Sequence, residues 1–93
     1  MANVSKAVVS VLGVDRRGII AKVSNVLFER GSNILDISQT ILQGSFTMVM
    51  AVDIAQANAS FGDISTALAE LGKEMGLSIR IQREEIFDAM HTI

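Results

Sequence analysis

The pattern of apolar and polar positions predicts six secondary-structure elements in the order strand, helix, strand, strand, helix, strand. Strands are predicted where β-branched residues cluster or where apolar and polar residues alternate. Helices are predicted where apolar residues recur every three or four positions. A Gln-Gly pair between the second and third predicted strands indicates a hairpin turn. The predicted strands are 6–14, 33–42, 45–54 and 77–83, and the predicted helices are 19–30 and 61–75.

Short polar residues and glycines mark the ends of the two predicted helices. Asp15 precedes the first predicted helix. Ser60 directly precedes the second predicted helix and stands three residues before Asp63. Such side chains accept hydrogen bonds from the free amides of a first helical turn, so we predict both as N-caps. Gly31 and Gly76 follow the last apolar position of each helix, which predicts glycine in the left-handed conformation at both ends.

The order of the elements predicts the α+β class and a ferredoxin-like sandwich. Two strand–helix–strand halves joined by a hairpin, with right-handed crossovers, produce a four-stranded antiparallel sheet with both helices on one face. Polar residues suited to the uncovered face are Ser38, Thr40, Thr47, Ser78, Arg80 and Gln82. We predict one domain over residues 1–93, with a core of about residues 4–83. Residues 84–93 have the spacing of a short additional helix, predicted to pack on a partner subunit or a sheet edge.

Composition narrows the classes of function. Hydrophobic residues make up 49% of the chain and proline is absent, which is typical of a globular domain that tends to self-associate. The net charge of −2 and the scattered basic residues argue against nucleic-acid binding. Without cysteine there is no disulfide or thiolate metal site, and the single His91 lacks companion ligands, so we expect neither metal nor cofactor. The first apolar run is too short to span a bilayer, so we expect no membrane association and a cytoplasmic location.

Two motifs, within this predicted topology, resemble those of the ACT domain, a small regulatory module that binds amino acids in many metabolic enzymes. The first is Asp-Arg-Arg-Gly-Ile at 15–19, which enters the first helix, and the second is Gly-Ser-Asn-Ile at 31–34, which opens the second strand. The resemblance covers residues 7–83. The extension to Ile93 resembles that of small stand-alone bacterial and archaeal ACT-domain proteins. The family's loop often has proline before the glycine, where this chain has Arg17.

The resemblance implies a non-enzymatic sensor that binds an amino acid or similar small metabolite at the interface of a homodimer or higher oligomer. In such dimers the sheets join side by side, and the ligand lies between the loop of one subunit and the early second strand of the other. The implied ligand-binding residues are Asp15, Arg16, Arg17, Gly18, Ile19, Asn33 and Ile34. Helix amides and a loop arginine suit a carboxylate, and the Asn33 amide offers a donor and an acceptor. Within one chain these two polar elements are predicted near opposite ends of the first helix, so they would meet in a dimer or by a sideways approach through a neighbouring loop.

Other functions are open on the same residues. Caps and turns alone explain Asp15, Gly18 and Asn33 without any ligand. An adaptor that binds another protein and no small molecule would have much the same polar and apolar residues in these motifs. Acylphosphatase shares the topology and uses a loop arginine with a strand-two asparagine, but its glycine-rich phosphate loop is missing here. An RNA-recognition module stacks bases on strand aromatics, whereas the four phenylalanines fall at core or helix positions, and a metallochaperone would need a cysteine pair.

Overall fold

The strands form one antiparallel sheet whose edges are the second and fourth strands. The computed structural model of the protein describes residues 5–83. The strand order is β2-β3-β1-β4, and the βαββαβ arrangement confirms the predicted ferredoxin-like sandwich. The elements are β1 (Lys6–Val14), α1 (Ile19–Glu29), β2 (Asn33–Leu42), β3 (Ser45–Asp53), α2 (Phe61–Met75) and β4 (Leu77–Arg83). The predicted helix over residues 84–93 lies outside the described residues.

The core lies between one face of the sheet and the two helices. On the central strands, Val9 pairs with Met50 and Val11 with Met48, and each of these side chains is at most 1% exposed. The helices contribute the buried residues Ile19, Val23, Leu27, Ile64 and Leu68. Full burial of one large aliphatic side chain stabilises a fold by about 1.5–3 kcal/mol. This layer therefore provides a rigid support for the loops and edges around it.

The C-terminal end of α1 is held in one conformation by a glycine. Gly31 has a φ of 75°, which confirms the left-handed conformation predicted for it. Its amide donates to the carbonyl of Phe28 at 3.0 Å, and the Ser32 amide donates to the carbonyl of Leu27 at 3.0 Å. This pair of hydrogen bonds is the Schellman motif, which satisfies the last carbonyls of a helix. The motif fixes the direction in which the chain leaves α1 and enters β2.

The N-terminal end of α1 differs from the prediction. Gly18, with a φ of 77°, occupies the cap position, where no side-chain hydrogen bond is formed. The prediction that Asp15 caps this helix is therefore wrong, because three further residues precede its first turn. The Asp15 backbone amide instead donates to the carbonyl of Gly44 at 2.9 Å, which ties the loop to the β2–β3 turn. The corresponding prediction for α2 is confirmed, since the Asp63 amide donates to the Ser60 hydroxyl at 3.1 Å.

β2 departs from the strict alternation predicted for it. The register with β3 shifts after Ile34, and Leu35 has no paired residue. Ile34 and Ile37 pair with Val52 and Met50, which are both fully buried, so both isoleucines lie on the helix side of the sheet. A β-bulge of this kind adds one residue to an edge strand and changes its twist. Near its start, the helix side of β2 therefore carries Ile34, where the strict alternation had placed Leu35.

Candidate ligand-binding site at the edge of the sheet

A groove follows β2 on the helix side of the sheet, and all of the predicted binding residues except Arg17 line it. It consists of two cavities that both contact Ala21 of α1. The strand-end cavity has a volume of about 420 Å³ and is lined by Ala21, Ser24, Asn25, Phe28, Ser32, Asn33 and Ile34. The loop cavity has a volume of about 250 Å³ and is lined by Asp15, Arg16, Gly18, Ile19, Ile20, Ala21, Gln39, Ile41 and Phe46. Because β2 is an edge strand of the sheet formed by residues 5–83, no further strand within that range bounds the outer side of the groove.

The loop cavity brings together most of the predicted loop residues. Ile19 is only 2% exposed and anchors the loop in the core. Gly18 has no atom within 4 Å of the position that a Cβ would take, so its backbone is open to a ligand. The carbonyl of Gly18 accepts the hydrogen bond of Lys22, which is the first α1 amide bonded within the helix. The preceding amides have no partner in the helix and, as at any helix start, favour an anion.

Arg16 contacts α2 in addition to lining the loop cavity. Its Nη1 atom donates to the carbonyl of Met75, the last residue of α2, at 2.6 Å. A cation is favoured at this end of a helix because it complements the helix dipole and the free carbonyls. Arg17 is exposed and forms no hydrogen bond within residues 5–83. Of the two predicted arginines, Arg17 is therefore the one that can turn toward a ligand without losing a helix cap.

Replacement of these two arginines is expected to separate their roles. Arg16→Met should lower the free energy of unfolding by about 1 kcal/mol, because a part-buried hydrogen bond from a charged donor is lost. Arg17→Met should change it by less than about 0.5 kcal/mol, as is usual for an exposed residue without contacts. Urea denaturation of both variants measures the difference. Equal effects of the two substitutions would show that the bond to Met75 contributes nothing.

Asn33 and Ile34 line the strand-end cavity, far from the loop. Asn33 pairs with Asp53, whereas Leu42 lies at the other end of β2 beside the turn that contacts Asp15. With a rise of about 3.3 Å per residue, these two ends of β2 are about 30 Å apart. One chain therefore does not bring Asn33 together with the loop, as the sequence had indicated.

Five residues of the strand-end cavity were not among the predicted site residues. They are Ala21, Ser24, Asn25, Phe28 and Ser32. The four helical ones follow the spacing i, i+3, i+4, i+7, so they form a second stripe on α1 beside the core stripe. This helical spacing is the sequence signal from which the residues on α1 could have been predicted. Phe28 is 79% exposed, so this aromatic is not a core residue of the single chain.

Ser32 has a buried hydroxyl without a partner. The residue is 7% exposed, and its Oγ atom forms no hydrogen bond within the described part of the chain. Burial of an unsatisfied polar group costs about 1–3 kcal/mol. Ser32→Ala is therefore expected to raise the free energy of unfolding by about 1 kcal/mol, measured by urea denaturation without ligand. A loss of stability instead would indicate that the hydroxyl has a partner.

Two kinds of site are absent from residues 5–83. No helix in this range is long and apolar enough to cross a membrane. Histidine, aspartate and glutamate side chains in the same range do not gather in groups of three that would hold a metal ion.

Known proteins resemble the chain over nearly its whole length. The ACT domain family model matches residues 5–82. A UPF0237 protein of Listeria innocua is 50% identical over 88 residues, which cover 95% of this chain and 99% of the relative. A UPF0237 protein of Methanocaldococcus jannaschii is 48% identical over 89 residues, which cover 96% of this chain and 99% of the relative. The solved structure of an ACT domain protein from Streptococcus pneumoniae superposes with a TM-score of 0.78 at 38% identity and covers 91% of this chain and 96% of that one.

Proposed function

The chain belongs to the ACT domain family, and from this membership we propose that it senses an amino acid, or a similar small metabolite, at the interface of a homodimer. ACT domains are regulatory, non-catalytic domains that typically dimerise and bind amino-acid ligands. For this chain we propose one domain over residues 1–93, without catalytic activity, that passes its signal to a protein partner. The observation that carries the proposal is the position of the two halves of the site at opposite ends of an open edge strand.

The outer edge of β2 suits a second copy of the same strand. An edge strand presents unpaired backbone amides and carbonyls, which form a template for another strand. Its apolar side chains are also open to solvent, since Leu35, Ile37, Ile41 and Leu42 are 45%, 38%, 53% and 69% exposed. A two-fold symmetric dimer in which β2 pairs with β2 would use the same surface of both copies. Such pairing would join the sheets and cover these side chains.

The same pairing would complete the binding site. An antiparallel β2 pair centred on the middle of the strand puts Asn33 of one copy opposite Leu42 of the other. Leu42 lies beside the turn whose Gly44 carbonyl accepts the Asp15 amide. The strand-end cavity of one copy then lies beside the loop cavity of the second copy, twice in each dimer. Asn33 and the loop, which lie at opposite ends of β2 within one chain, would thereby be brought together between chains.

The groups at this junction suit an amino-acid zwitterion. The free amides at the start of α1, with Arg17 beside them, favour a carboxylate. The side chain of Asn33 offers both a carbonyl oxygen for an ammonium group and an NH₂ group for a carboxylate. A ligand that touches both copies would favour one arrangement of the dimer over others, and this is how binding would regulate a partner.

Thermal unfolding of the purified protein with each of the twenty amino acids tests the proposal. A ligand that binds only the native dimer stabilises it by about 2.7 kcal/mol at a hundredfold excess over its dissociation constant. A selective rise in Tm, with a dimer mass by light scattering, is the expected result. Asn33→Ala should abolish the rise, whereas Asn58→Ala, the same change at an exposed position, should leave it intact. A flat response from a folded dimer would contradict amino-acid sensing.

A protein adaptor is the second candidate, favoured by apolar residues on the face of the sheet that no helix covers. Leu12 and Val14 of β1 are 57% and 70% exposed, and Val49 of β3 is 39% exposed. Their cross-strand partners Thr47, Ser45 and Ser10 place them on this face. Exposed apolar groups of this kind are typical of interaction surfaces. A dimer that binds no amino acid would make this face the functional one.

A further inference from the structure

Within residues 5–83, no charged side chain lines the strand-end cavity, and we propose that this cavity selects amino acids whose side chains are uncharged. The inference rests on the proposed function, because it assigns the ligand's side chain to one of the two cavities that form the composite site. The α-carboxylate and α-ammonium groups of the ligand then bind at the loop cavity, and its side chain binds in the strand-end cavity. This separation determines which amino acids bind.

The lining of the strand-end cavity consists of apolar and neutral polar groups only. Ala21, Phe28 and Ile34 provide apolar walls, and the remaining positions are serines and asparagines. The charged neighbours on α1, Lys22 and Glu29, do not line it. Once a second copy covers this cavity, a carboxylate or ammonium group inside it would lose water without gaining a counter-ion from the lining. Transfer of an unpaired charge out of water is strongly unfavourable, whereas an uncharged group carries no such penalty.

The charged groups of the groove lie at its other end. Asp15 and Arg16 line the loop cavity, and Arg17 is adjacent to them in the same loop. In the composite site this charged end of one copy faces the neutral end of the second copy. The α-carboxylate and α-ammonium groups of a ligand match the charged end, because both groups are present in every amino acid. The side chain of the ligand is then directed into the neutral strand-end cavity.

The polarity of the cavity also fits an uncharged side chain. Its volume of about 420 Å³ lies within the range of about 300–1,000 Å³ usual for whole small molecules, so the polarity of the lining, rather than its size, distinguishes one side chain from another. The Asn25 amide and the unpartnered Ser32 hydroxyl add hydrogen-bonding groups to apolar walls. Neutral polar and aliphatic side chains would be accepted on these walls without an unpaired charge.

Pairs of amino acids with similar shape and different charge test the inference on the unmodified full chain. Calorimetric titrations would compare asparagine with aspartate, glutamine with glutamate, and methionine with lysine. We expect the amino acid that binds most tightly to be uncharged, and its charged counterpart to bind at least about tenfold more weakly. Equal or tighter binding of the charged members would overturn this inference while leaving amino-acid sensing in place. If no amino acid bound at all, the proposed function would fail, and this inference with it.

A charge placed inside the cavity provides a second test. Asn25→Arg should weaken binding of the preferred neutral amino acid about tenfold and improve binding of aspartate or glutamate. Asn58→Arg adds the same charge at an exposed position outside the groove and should change neither affinity. The dimer mass is measured for both variants, so that a loss of assembly is recognised. Equal changes in the two variants would mean that net charge, rather than the cavity, decides selectivity, and would overturn the inference.

Discussion

Ile37→Lys is expected to convert the proposed dimer into a monomer. Ile37 lies in the middle of β2, on the helix side, and is 38% exposed in the single chain. In an antiparallel β2 pair centred on this part of the strand, the two copies of residue 37 lie close together near the symmetry axis. Two lysines there would repel each other and would leave apolar contacts unmade. We expect the dissociation constant of the dimer to rise at least about a hundredfold, which corresponds to about 2.7 kcal/mol.

Sedimentation or light scattering over a range of concentrations measures this change, and Leu12→Lys is the matched control. Leu12 is 57% exposed on the opposite face of the sheet, so the same substitution there should leave the mass unchanged. If Leu12→Lys dissociated the dimer and Ile37→Lys did not, the interface would lie on the face that no helix covers. The edge-strand arrangement and the composite site would then both be wrong. Loss of ligand binding in the Ile37→Lys monomer would link the two features.

Gly31→Ala is expected to lower the free energy of unfolding by about 3 kcal/mol or more. A left-handed conformation costs a residue with a Cβ about 1–2 kcal/mol, and Gly31 has a φ of 75°. The new Cβ would also lie 3.1 Å from the amide nitrogen of Asn58 and 3.1 Å from the carbonyl oxygen of Gln56. These backbone atoms are restrained, because the Asn58 amide donates to the carbonyl of Arg30 at 3.0 Å. Relief of the clash would therefore have to move the start of β2.

Gly44→Ala separates the conformational cost from the clash. Gly44 has a φ of 82°, but nothing lies within 4 Å of the position of its Cβ. This control should therefore lose only about 1–2 kcal/mol. Urea denaturation measures both variants, and a loss at Gly31 no larger than that at Gly44 would show that the neighbouring loop yields easily. Asn33 lies two residues after Gly31, so a shift of the start of β2 would displace it. Ligand affinity should therefore fall in Gly31→Ala even where the protein remains folded.

The sequence by itself determined the order of the elements and the fold. Hydrophobic periodicity, the Ser60 cap and the glycines at 31 and 76 are local signals, and each acts over a few residues. The handedness of strand–helix–strand connections then leaves few arrangements for this order. The motifs at 15–19 and 31–34 also carried the resemblance to the family that the comparisons established. They indicated both halves of the site and their separation within one chain.

Only the tertiary structure decided which groups those halves contain. Aspartate is a common N-cap residue, so the sequence suggested this role for Asp15. Its position in the loop depends instead on the hydrogen bond to the turn at Gly44, which is distant in sequence. Arg16 reaches the end of α2 across 59 positions, and no local pattern indicates such a contact. The packing of α1 beside the start of β2 forms the neutral strand-end cavity. Such features arise from long-range packing, in which the energies of many residues are balanced together, so short-range sequence patterns do not specify them.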